Sequence, residues 1–343
     1  MTRRRSKLRD EIVTLAHGAG GKATRALVEG LFLEELGNPL LEPLADAALL
    51  DLNGARVAFT TDSYVVKPLF FPGGSIGELA VNGTVNDLAV SGARPLWLSA
   101  GFVIEEGFPV ADLRRIAAAM SRAAAAAGVT IATGDTKVVE RGNADGLYVN
   151  TAGIGVVHEG ASLGPERVRP GDAVLLSGTL GDHGMAVMIA RGELQLEADI
   201  RSDTAPVHEL TAALLELGDA VRWMRDPTRG GLATALNELA GQADIAVALD
   251  ESALPVRPEV AGACEILGID PLYVANEGKL VAVVAAEAAP VALAALRAHP
   301  LGAEAAIVGS VREEPQGLVL LDTAFGGSRI VDMLVGDPLP RIC

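Results

Sequence analysis

Aromatic residues and cysteines are scarce in this sequence, and each shortage narrows the range of possible folds. Phe, Trp and Tyr make up 3% of the 343 residues, although half of the chain is hydrophobic, so the cores must be packed mainly from Ala, Val, Leu and Ile. The two cysteines, Cys264 and Cys343, cannot form the disulfide framework that holds small secreted domains together. We therefore expect a protein of a reducing compartment, the cytoplasm.

Basic residues are also in short supply. Lys and Arg number 28 against 44 Asp and Glu, which gives a net charge of −16. Phosphate backbones and anionic lipid surfaces attract basic faces, so this charge argues against a nucleic-acid-binding or membrane-surface protein. It is compatible with an enzyme that uses carboxylates to hold Mg²⁺. No stretch approaches the ~20 consecutive apolar residues of a transmembrane helix, so we expect no membrane span.

The hydrophobic pattern predicts two modules of mixed α and β structure. Helical spacing recurs over residues 21–37, 75–93 and 110–128, and Asn53-Gly54 between two apolar runs is a strong hairpin signal. A Gly- and Pro-rich stretch without periodicity, 158–172, separates the modules. The expected fold class is therefore α+β (α/β) in two domains. The predicted parts are an N-terminal segment 1–40, a first domain 41–158, a second domain 170–326 and a mobile tail 327–343.

The segment "HGAGGK", His17–Lys22, precedes a predicted helix and is rich in glycine. Backbone N–H groups in such a segment can bind phosphate. It lacks the spacing of a P-loop but matches the dinucleotide pattern G-x-G-x-x-A at Gly18, Gly20 and Ala23. That pattern requires a βαβ unit, whereas a hairpin signal follows here. A plain turn at the start of the helix and a mobile phosphate-binding loop both remain open.

Five aspartates lie in positions where carboxylates could converge on one cleft. Asp62 and Asp135 end predicted strands, Asp87 lies in a helix of small residues, Asp46 precedes a strand, and Asp226 precedes a Gly-rich helix start. Mg²⁺ prefers hard oxygen ligands of this kind. Each aspartate taken alone is equally typical of a helix cap or a turn. Asp62, Asp87 and Asp135 together, each beside Thr, Asn or Gly, favour a metal site.

The segment "NEGKL" contains Glu277 between two apolar strands, and Lys137 follows Asp135 in "GDTKVV". A Glu and a Lys in such places can serve as acid and base. A surface turn with salt-bridging side chains would have the same pattern. Cys264 lies in a helical pattern and is interpreted as a small core residue.

The chain ends in "PRIC", with Cys343 as its last residue. An unperturbed thiol has a pKa of about 8.5, so a few per cent is thiolate near neutrality. The terminal carboxylate should raise this pKa and Arg341 should oppose the rise. Local chemistry therefore predicts a modest nucleophile on a Pro-punctuated arm, and it leaves an incidental terminal cysteine open.

Taken together and in order, these segments resemble the HypE family, the carbamoyl dehydratases of nickel–iron hydrogenase maturation. The quoted segments are "HGAGGK", "TTDS", "VNDLAVSGA", "GDTKVV", "DPTRGG", "NEGKL" and "PRIC". The inner ones are shared with a wider ATP-using superfamily that includes aminoimidazole ribonucleotide synthetase and selenophosphate synthetase. The terminal "PRIC" is peculiar to the HypE family.

The resemblance implies an aminoimidazole ribonucleotide synthetase-like fold, with a homodimer formed through the N-terminal domain and ATP between the domains. It implies Mg²⁺ ligands at Asp46, Asp62, Asp87 and Asp226. Cys343, Lys137 and Glu277 are the implied catalytic residues. The implied ATP contacts are His17, Gly18, Gly20, Gly21, Lys22, Asn86, Asp135, Thr136 and Asn276.

The resemblance also implies a reaction cycle. The carbamoyltransferase HypF would load a carbamoyl group onto Cys343, ATP would activate its oxygen, and loss of water would leave a thiocyanate. Glu277 would take the N–H proton, and the cyano group would pass to iron held by a HypC–HypD complex. Lys67 stands where family members usually carry an acidic residue. Another ATP-using enzyme of the superfamily, or a carrier that only presents Cys343, are the alternatives.

Overall fold

The computed structural model describes residues 7–192, 198–336, 339 and 341–343. The prolines of the predicted Pro-punctuated arm, Pro338 and Pro340, lie outside these residues, as do residues 1–6. None of the helices described combines the length and the apolar character needed to cross a membrane.

The N-terminal segment contains the helix predicted over residues 21–37. The short turn Leu15–Gly18 leads to α1, Lys22–Leu27, and a π-helical turn, Val28–Phe32, connects α1 to α2, Leu33–Leu36. The helical backbone ends at Gly37, as the sequence predicted.

The first domain is built on a five-stranded sheet with the strand order β1-β2-β7-β5-β6. The hairpin predicted at Asn53-Gly54 connects β1 to β2, and both turn residues have positive φ, 55° and 90°, as a tight hairpin turn requires. The elements are β1 (Ala48–Leu52), β2 (Ala55–Tyr64), β3 (Phe70–Phe71), β4 (Gly74–Ser75), α3 (Ile76–Val90), β5 (Ala93–Glu105), α4 (Val110–Ala126), β6 (Thr130–Val139) and β7 (Leu147–Val157).

The two faces of this sheet differ in what covers them. Helices α3 and α4 pack together, and their apolar residues join those of the strands in one core. On the opposite face, Phe59 pairs with Ile154 and Ile154 with Trp97 across β2, β7 and β5. All three side chains are exposed. The chain alone therefore leaves an apolar row on the open face of its first sheet.

The second domain is built on a seven-stranded sheet with the order β14-β13-β10-β12-β8-β11-β9. Helix α7 packs on one face, while α6 and α9 pack on the other. This explains why its central strands are continuous apolar runs rather than alternating ones. The elements are β8 (Ala173–Leu176), α5 (Asp182–Ala190), α6 (His208–Leu215), β9 (Val221–Arg225), α7 (Gly231–Ala243), β10 (Ala246–Asp250), α8 (Pro258–Leu267), β11 (Val281–Val284), α9 (Ala289–Arg297), β12 (Ala306–Arg312), β13 (Val319–Asp322) and β14 (Ser328–Ile330).

The C-terminal residues differ from a frayed end. Strand β14 lies beyond residue 326, so regular structure extends past the predicted end of the second domain. Leu339 and Ile342 are buried in the core of the first domain, to which α5 and α8 also contribute. Cys264 is buried in α8, which confirms the interpretation of this residue as part of the core.

Candidate active site

Three of the predicted metal ligands meet at one point. Carboxylate oxygens of Asp46, Asp87 and Asp226 all lie within 4.8 Å of one another. Asp87 projects from α3, Asp226 directly follows β9, and Asp46 precedes β1. The two domains therefore both contribute to the group, and its hard oxygen donors are of the kind that Mg²⁺ binds.

Neighbouring side chains hold this group of carboxylates in place. The Thr60 hydroxyl lies 2.9 Å from Oδ2 of Asp87 and 2.7 Å from the backbone oxygen of Asp46. Arg225 lies 3.0 Å from Asp46 and 2.9 Å from Glu238. The single guanidinium leaves the other carboxylates of the group without a full counter-charge.

Burial and mutual repulsion change the acidity of the group. Burial, with the carboxylates of Asp226, Asp46 and Asp62 nearby, raises the pKa of Asp87 well above its usual range. Burial and Asp46 raise the pKa of Asp226 to about 8. Buried carboxylates that resist ionisation gain most from a cation between them, so the donor set fits a divalent metal.

Asp62 lies near the group but is not one of the three converging residues. Its Oδ1 accepts a hydrogen bond of 2.7 Å from the Ser63 N–H. Burial raises the pKa of Asp62, and Arg229 opposes this rise. A role of Asp62 in metal binding stays a prediction.

A cavity of about 370 Å³ opens on the carboxylates, and the glycine-rich segment lines its other side. His17, Gly18, Gly20 and Arg229 contribute to the lining. The predicted phosphate loop and the predicted metal group therefore face one another across a single space.

The glycine-rich segment is held against the second domain. A Cβ at Gly20 would lie 2.8 Å from the backbone oxygen of Arg229. A Cβ at Gly21 would lie 2.3 Å from the backbone oxygen of Leu334. The Lys22 N–H donates to the Leu334 oxygen, and the Lys22 ammonium pairs with Asp332. Glycine is required here because two backbones approach closely.

Cys343 lies in an adjoining chamber of about 150 Å³, lined by the glycine-rich segment, the tail and Arg229. Both chambers share Gly18 and Arg229 in their walls, and the Arg229 guanidinium donates to the Gly18 oxygen at 3.2 Å. The thiol of the last residue is thus placed next to the cavity that holds the carboxylates.

The thiol is not the nucleophile that the isolated tail sequence predicted. Burial raises the pKa of Cys343 well above its usual value; Arg229 opposes this rise and the adjacent Glu277 carboxyl adds to it. Arg341, expected to lower this pKa, instead pairs with Asp145. The docked thiol is therefore protonated near neutral pH, and the earlier expectation of a modest nucleophile is wrong for this state.

Glu277 is buried beside the thiol rather than placed on a surface turn. Its side chain is 3% exposed, and its Oε1 has no hydrogen-bond partner among the described residues. Burial, then the carboxylates of Asp226, Asp62 and Asp203, raise the pKa of Glu277 well above its usual range. A buried carboxylate with one unpaired oxygen and a raised pKa is typical of a general base.

The two predicted asparagines bind the backbone in this chain. Asn86 donates to the Glu277 and Ala205 oxygens, at 3.1 Å each, and accepts from the Val207 N–H. Asn276 accepts from the Gly181 N–H and donates to the Pro227 and Val274 oxygens. Both amides thereby fix the segments around Glu277, and their contact with a nucleotide stays a prediction.

The remaining predicted residues lie elsewhere in the single chain. Asp135, Thr136 and Lys137 are exposed on the edge strand β6. The Lys137 ammonium lies 2.7 Å from Asp135 and lines neither chamber. Lys67 is exposed as well, and its N–H donates to the Arg341 oxygen at 3.2 Å.

Two arginines of the site were missed by the sequence analysis. Arg225 pairs with Asp46, and Arg229 lines both chambers. Both flank Asp226 in "RDPTRGG". Their position on either side of a predicted metal ligand was the available signal.

Comparison with known proteins agrees with this architecture. Residues 44–157 match the family model of the N-terminal domain of AIR synthase related proteins, and residues 169–321 match that of the C-terminal domain. The boundary between the two matches lies within the non-periodic stretch of the sequence.

Individual proteins are similar over nearly the full length. The carbamoyl dehydratase HypE of Rhodobacter capsulatus is 58% identical over 339 residues, which are 98% of this chain and 99% of that protein. A solved HypE–HypF complex matches with a TM-score of 0.86 and 50% identity, covering 90% of this chain and 100% of the other. A HypE structure in complex with ATP matches with a TM-score of 0.81 and 49% identity, covering 97% and 100%.

Proposed function

Because the chain belongs to the HypE family of carbamoyl dehydratases, we propose that it dehydrates a carbamoyl group on Cys343 to a thiocyanate with ATP, in hydrogenase maturation. The observation that carries this proposal is the docking of the partly buried Cys343 beside Glu277, in a chamber that adjoins the carboxylate cavity.

The reaction divides into activation and elimination. The amide oxygen attacks the γ-phosphorus of ATP and one N–H proton is lost, which leaves ADP and an imidate phosphate on the sulfur. Removal of the second N–H proton and cleavage of the C–O bond then give S–C≡N and inorganic phosphate. Phosphorylation is needed because the oxygen of an amide is a poor leaving group.

Mg²⁺ on Asp46, Asp87 and Asp226 would neutralise phosphoryl charge when bound. The side chains around it have separate tasks. Thr60 and Arg225 orient the carboxylates through the contacts described. Arg229, at the wall shared by the two chambers, places a fixed positive charge between the thiol and the phosphate side.

Glu277 is the proposed base for the nitrogen proton. Its raised pKa makes the carboxylate a stronger base than a solvated glutamate, and its unpaired Oε1 is available for the proton. The partial burial of Cys343 in the docked tail limits the access of water to an activated imidate.

A homodimer is proposed from the open face of the first sheet. The exposed apolar row of Phe59, Ile154 and Trp97 and the exposed edge of β6 are suited to a second copy. Lys137 lies on this edge, so its catalytic role requires that it reach the site of the partner chain.

The partners and the compartment follow from the same proposal. A HypF-type carbamoyltransferase would load the thiol, as the solved HypE–HypF complex suggests for its own chain. A HypC–HypD complex would accept the cyano group. The cytoplasm fits the two free cysteines.

Mass spectrometry of the C-terminal peptide tests the proposed reaction. The purified chain is incubated with a carbamoyltransferase and its carbamoyl donor, and Mg-ATP is added afterwards. We expect a carbamoyl adduct on Cys343 that loses one water only when ATP is present. Turnover by a Cys343→Ala variant, or loss of water without nucleotide, would contradict it.

A further inference from the structure

A fully buried histidine contacts the tail next to the reactive residue. The His183 ring in α5 is 0% exposed. Its Nε2 lies 2.9 Å from the backbone oxygen of Ile342, and its Nδ1 lies 2.8 Å from Oγ of Ser202. The ring also packs edge-on against Phe71, with centroids 5.4 Å apart.

The two contacts fix which nitrogen of His183 carries the proton. A carbonyl oxygen only accepts hydrogen bonds, so Nε2 must be the donor to Ile342. Nδ1 then accepts from the Ser202 hydroxyl, whose oxygen accepts from the Thr204 N–H at 3.1 Å. Burial lowers the pKa of His183, which keeps the ring in this neutral form. The neutral imidazole therefore donates a hydrogen bond from Nε2 to the Ile342 carbonyl of the tail.

A second side chain holds the preceding carbonyl of the tail. The Arg191 guanidinium, just past the end of α5, donates to the Arg341 oxygen and to the Lys67 oxygen, at 2.9 Å each. The consecutive backbone carbonyls of Arg341 and Ile342 are thus held by side chains in α5 and just after its end. The Ile342 side chain is 2% exposed in the core of the first domain.

The histidine is also connected to the residue proposed as base. Ser202 is followed by Asp203, whose Oδ1 accepts from the Glu277 N–H at 3.1 Å and whose Oδ2 lies 3.2 Å from the Lys279 ammonium. Gly278 packs against the same residue, because a Cβ at position 278 would lie 1.8 Å from the backbone oxygen of Asp203. One short segment, 202–204, therefore supports both the tail contact and the Glu277 backbone.

We propose that His183 is a positioning residue that holds the Ile342 carbonyl and thereby sets the carbamoylated sulfur against Glu277. This proposal rests on the proposed function, since it assigns a task within that reaction. In the docked tail Cys343 is partly buried against the core of the first domain, and loading by a separate enzyme requires that the tail leave this position. His183 therefore acts on dehydration, and not on loading.

The variants that test this are His183→Phe, which keeps a flat ring without the donor, and His183→Gln, which keeps an N–H donor. His299→Gln is the matched control, because His299 also bonds through both nitrogens, to Glu209 and to the Leu301 N–H, and lines neither chamber. Each full-length protein is followed by thermal melting, by loading with the carbamoyltransferase, by single-turnover dehydration with Mg-ATP, and by alkylation of Cys343 with iodoacetamide.

We expect His183→Phe to load at the normal rate but to dehydrate about 10- to 100-fold more slowly, the effect of one lost buried hydrogen bond and a misplaced reacting group. Its Cys343 should alkylate about 10-fold faster, since the docked tail is less populated. His183→Gln should recover part of both rates, and His299→Gln should behave as the unsubstituted chain.

Normal dehydration and normal alkylation in a folded His183→Phe protein would overturn the proposal. So would parallel losses of loading and dehydration with a lower melting temperature, which indicate a structural role only. If the unsubstituted chain fails to dehydrate the carbamoyl group on Cys343, the proposed function is wrong. The alkylation rates of Cys343 then still decide whether His183 holds the tail.

Discussion

At the scale of single residues, the proposed chemistry depends on where ordinary groups are buried. In the proposed reaction Cys343 carries the substrate, and its raised pKa disfavours the thiolate that a nucleophile would need. Glu277 becomes a strong base for the same reason, because burial and neighbouring carboxylates raise its pKa. Burial favours the neutral form of both groups, and the ionised form of Glu277 is for that reason a stronger base than a solvated glutamate.

Replacing the base tests this division directly. We expect Glu277→Gln to accept the carbamoyl group normally and to dehydrate it at least about 100-fold more slowly, the range that loss of a general base gives. Peptide mass spectra after single turnover measure both steps. If Glu277→Gln dehydrates the carbamoyl group as fast as the unsubstituted chain, Glu277 is not the base.

These residue properties could be predicted only in part from the sequence. The family resemblance implied Asp46, Asp62, Asp87 and Asp226 as a group, and the structure brings Asp46, Asp87 and Asp226 together. The pKa of Cys343 could not be predicted, because Arg341, its neighbour in the chain, pairs with Asp145 while Arg229, which is distant in sequence, contributes the positive charge.

At the scale of elements, helix α3 and the segment after β9 bring like charges together. The folded protein holds Asp226 with a pKa of about 8, whereas an unfolded aspartate has a pKa of about 3.9. Between these values the folded state binds more protons than the unfolded state. Its stability therefore falls as the pH rises through this range.

Metal-free protein should show this pH dependence. We expect its melting temperature to fall by about 5 °C between pH 5 and pH 8, and saturating Mg²⁺ to remove most of the fall, because it binds the ionised carboxylates. Asp87→Asn should flatten the metal-free profile and weaken the response to Mg²⁺. A profile that is flat without metal, or equal with and without it, would exclude this cluster as the metal site.

Close packing of backbones is a second property of the elements. The backbone oxygen of Asp203 lies where a Cβ of residue 278 would be. Gly278→Ala should therefore force segment 202–204 to shift and destabilise the protein by about 3 kcal/mol. Gly262→Ala is the control. Its Cβ would meet no atom within 4 Å in α8, and it should stabilise by about 0.5 kcal/mol.

Chemical denaturation of both glycine variants measures these changes. A neutral Gly278→Ala substitution would show that segment 202–204 moves freely and does not fix Glu277. The helices and strands themselves could be predicted from periodicity and turn residues. The approach of segments far apart in sequence could not be predicted, because it depends on tertiary packing.

At the scale of the whole molecule, both domains build the site, and the tail closes it. The sequence predicted two α/β domains, and the structure has two sheets whose cores meet at α5 and the tail. The place of Lys137 could not be predicted from one chain. It lies on the edge of the first sheet, outside both chambers, and the proposed dimer would let it serve the partner.

Mixing two inactive variants tests whether Lys137 acts across a dimer. Lys137→Ala and Glu277→Gln should each be inactive in dehydration. After subunit exchange, half of the dimers are mixed and each has one site with both native residues, so about a quarter of the activity should return. No recovery despite proven exchange would place Lys137 in its own chain's site or outside the reaction.

The central claim is that ATP activates the oxygen of a carbamoyl group held on Cys343. The most direct measurement uses a carbamoyl group labelled with ¹⁸O, loaded onto the tail and followed through a single turnover with Mg-ATP. We predict that the label leaves in inorganic phosphate, one atom for each thiocyanate formed. Release of the label as water, with unlabelled phosphate, would contradict the account.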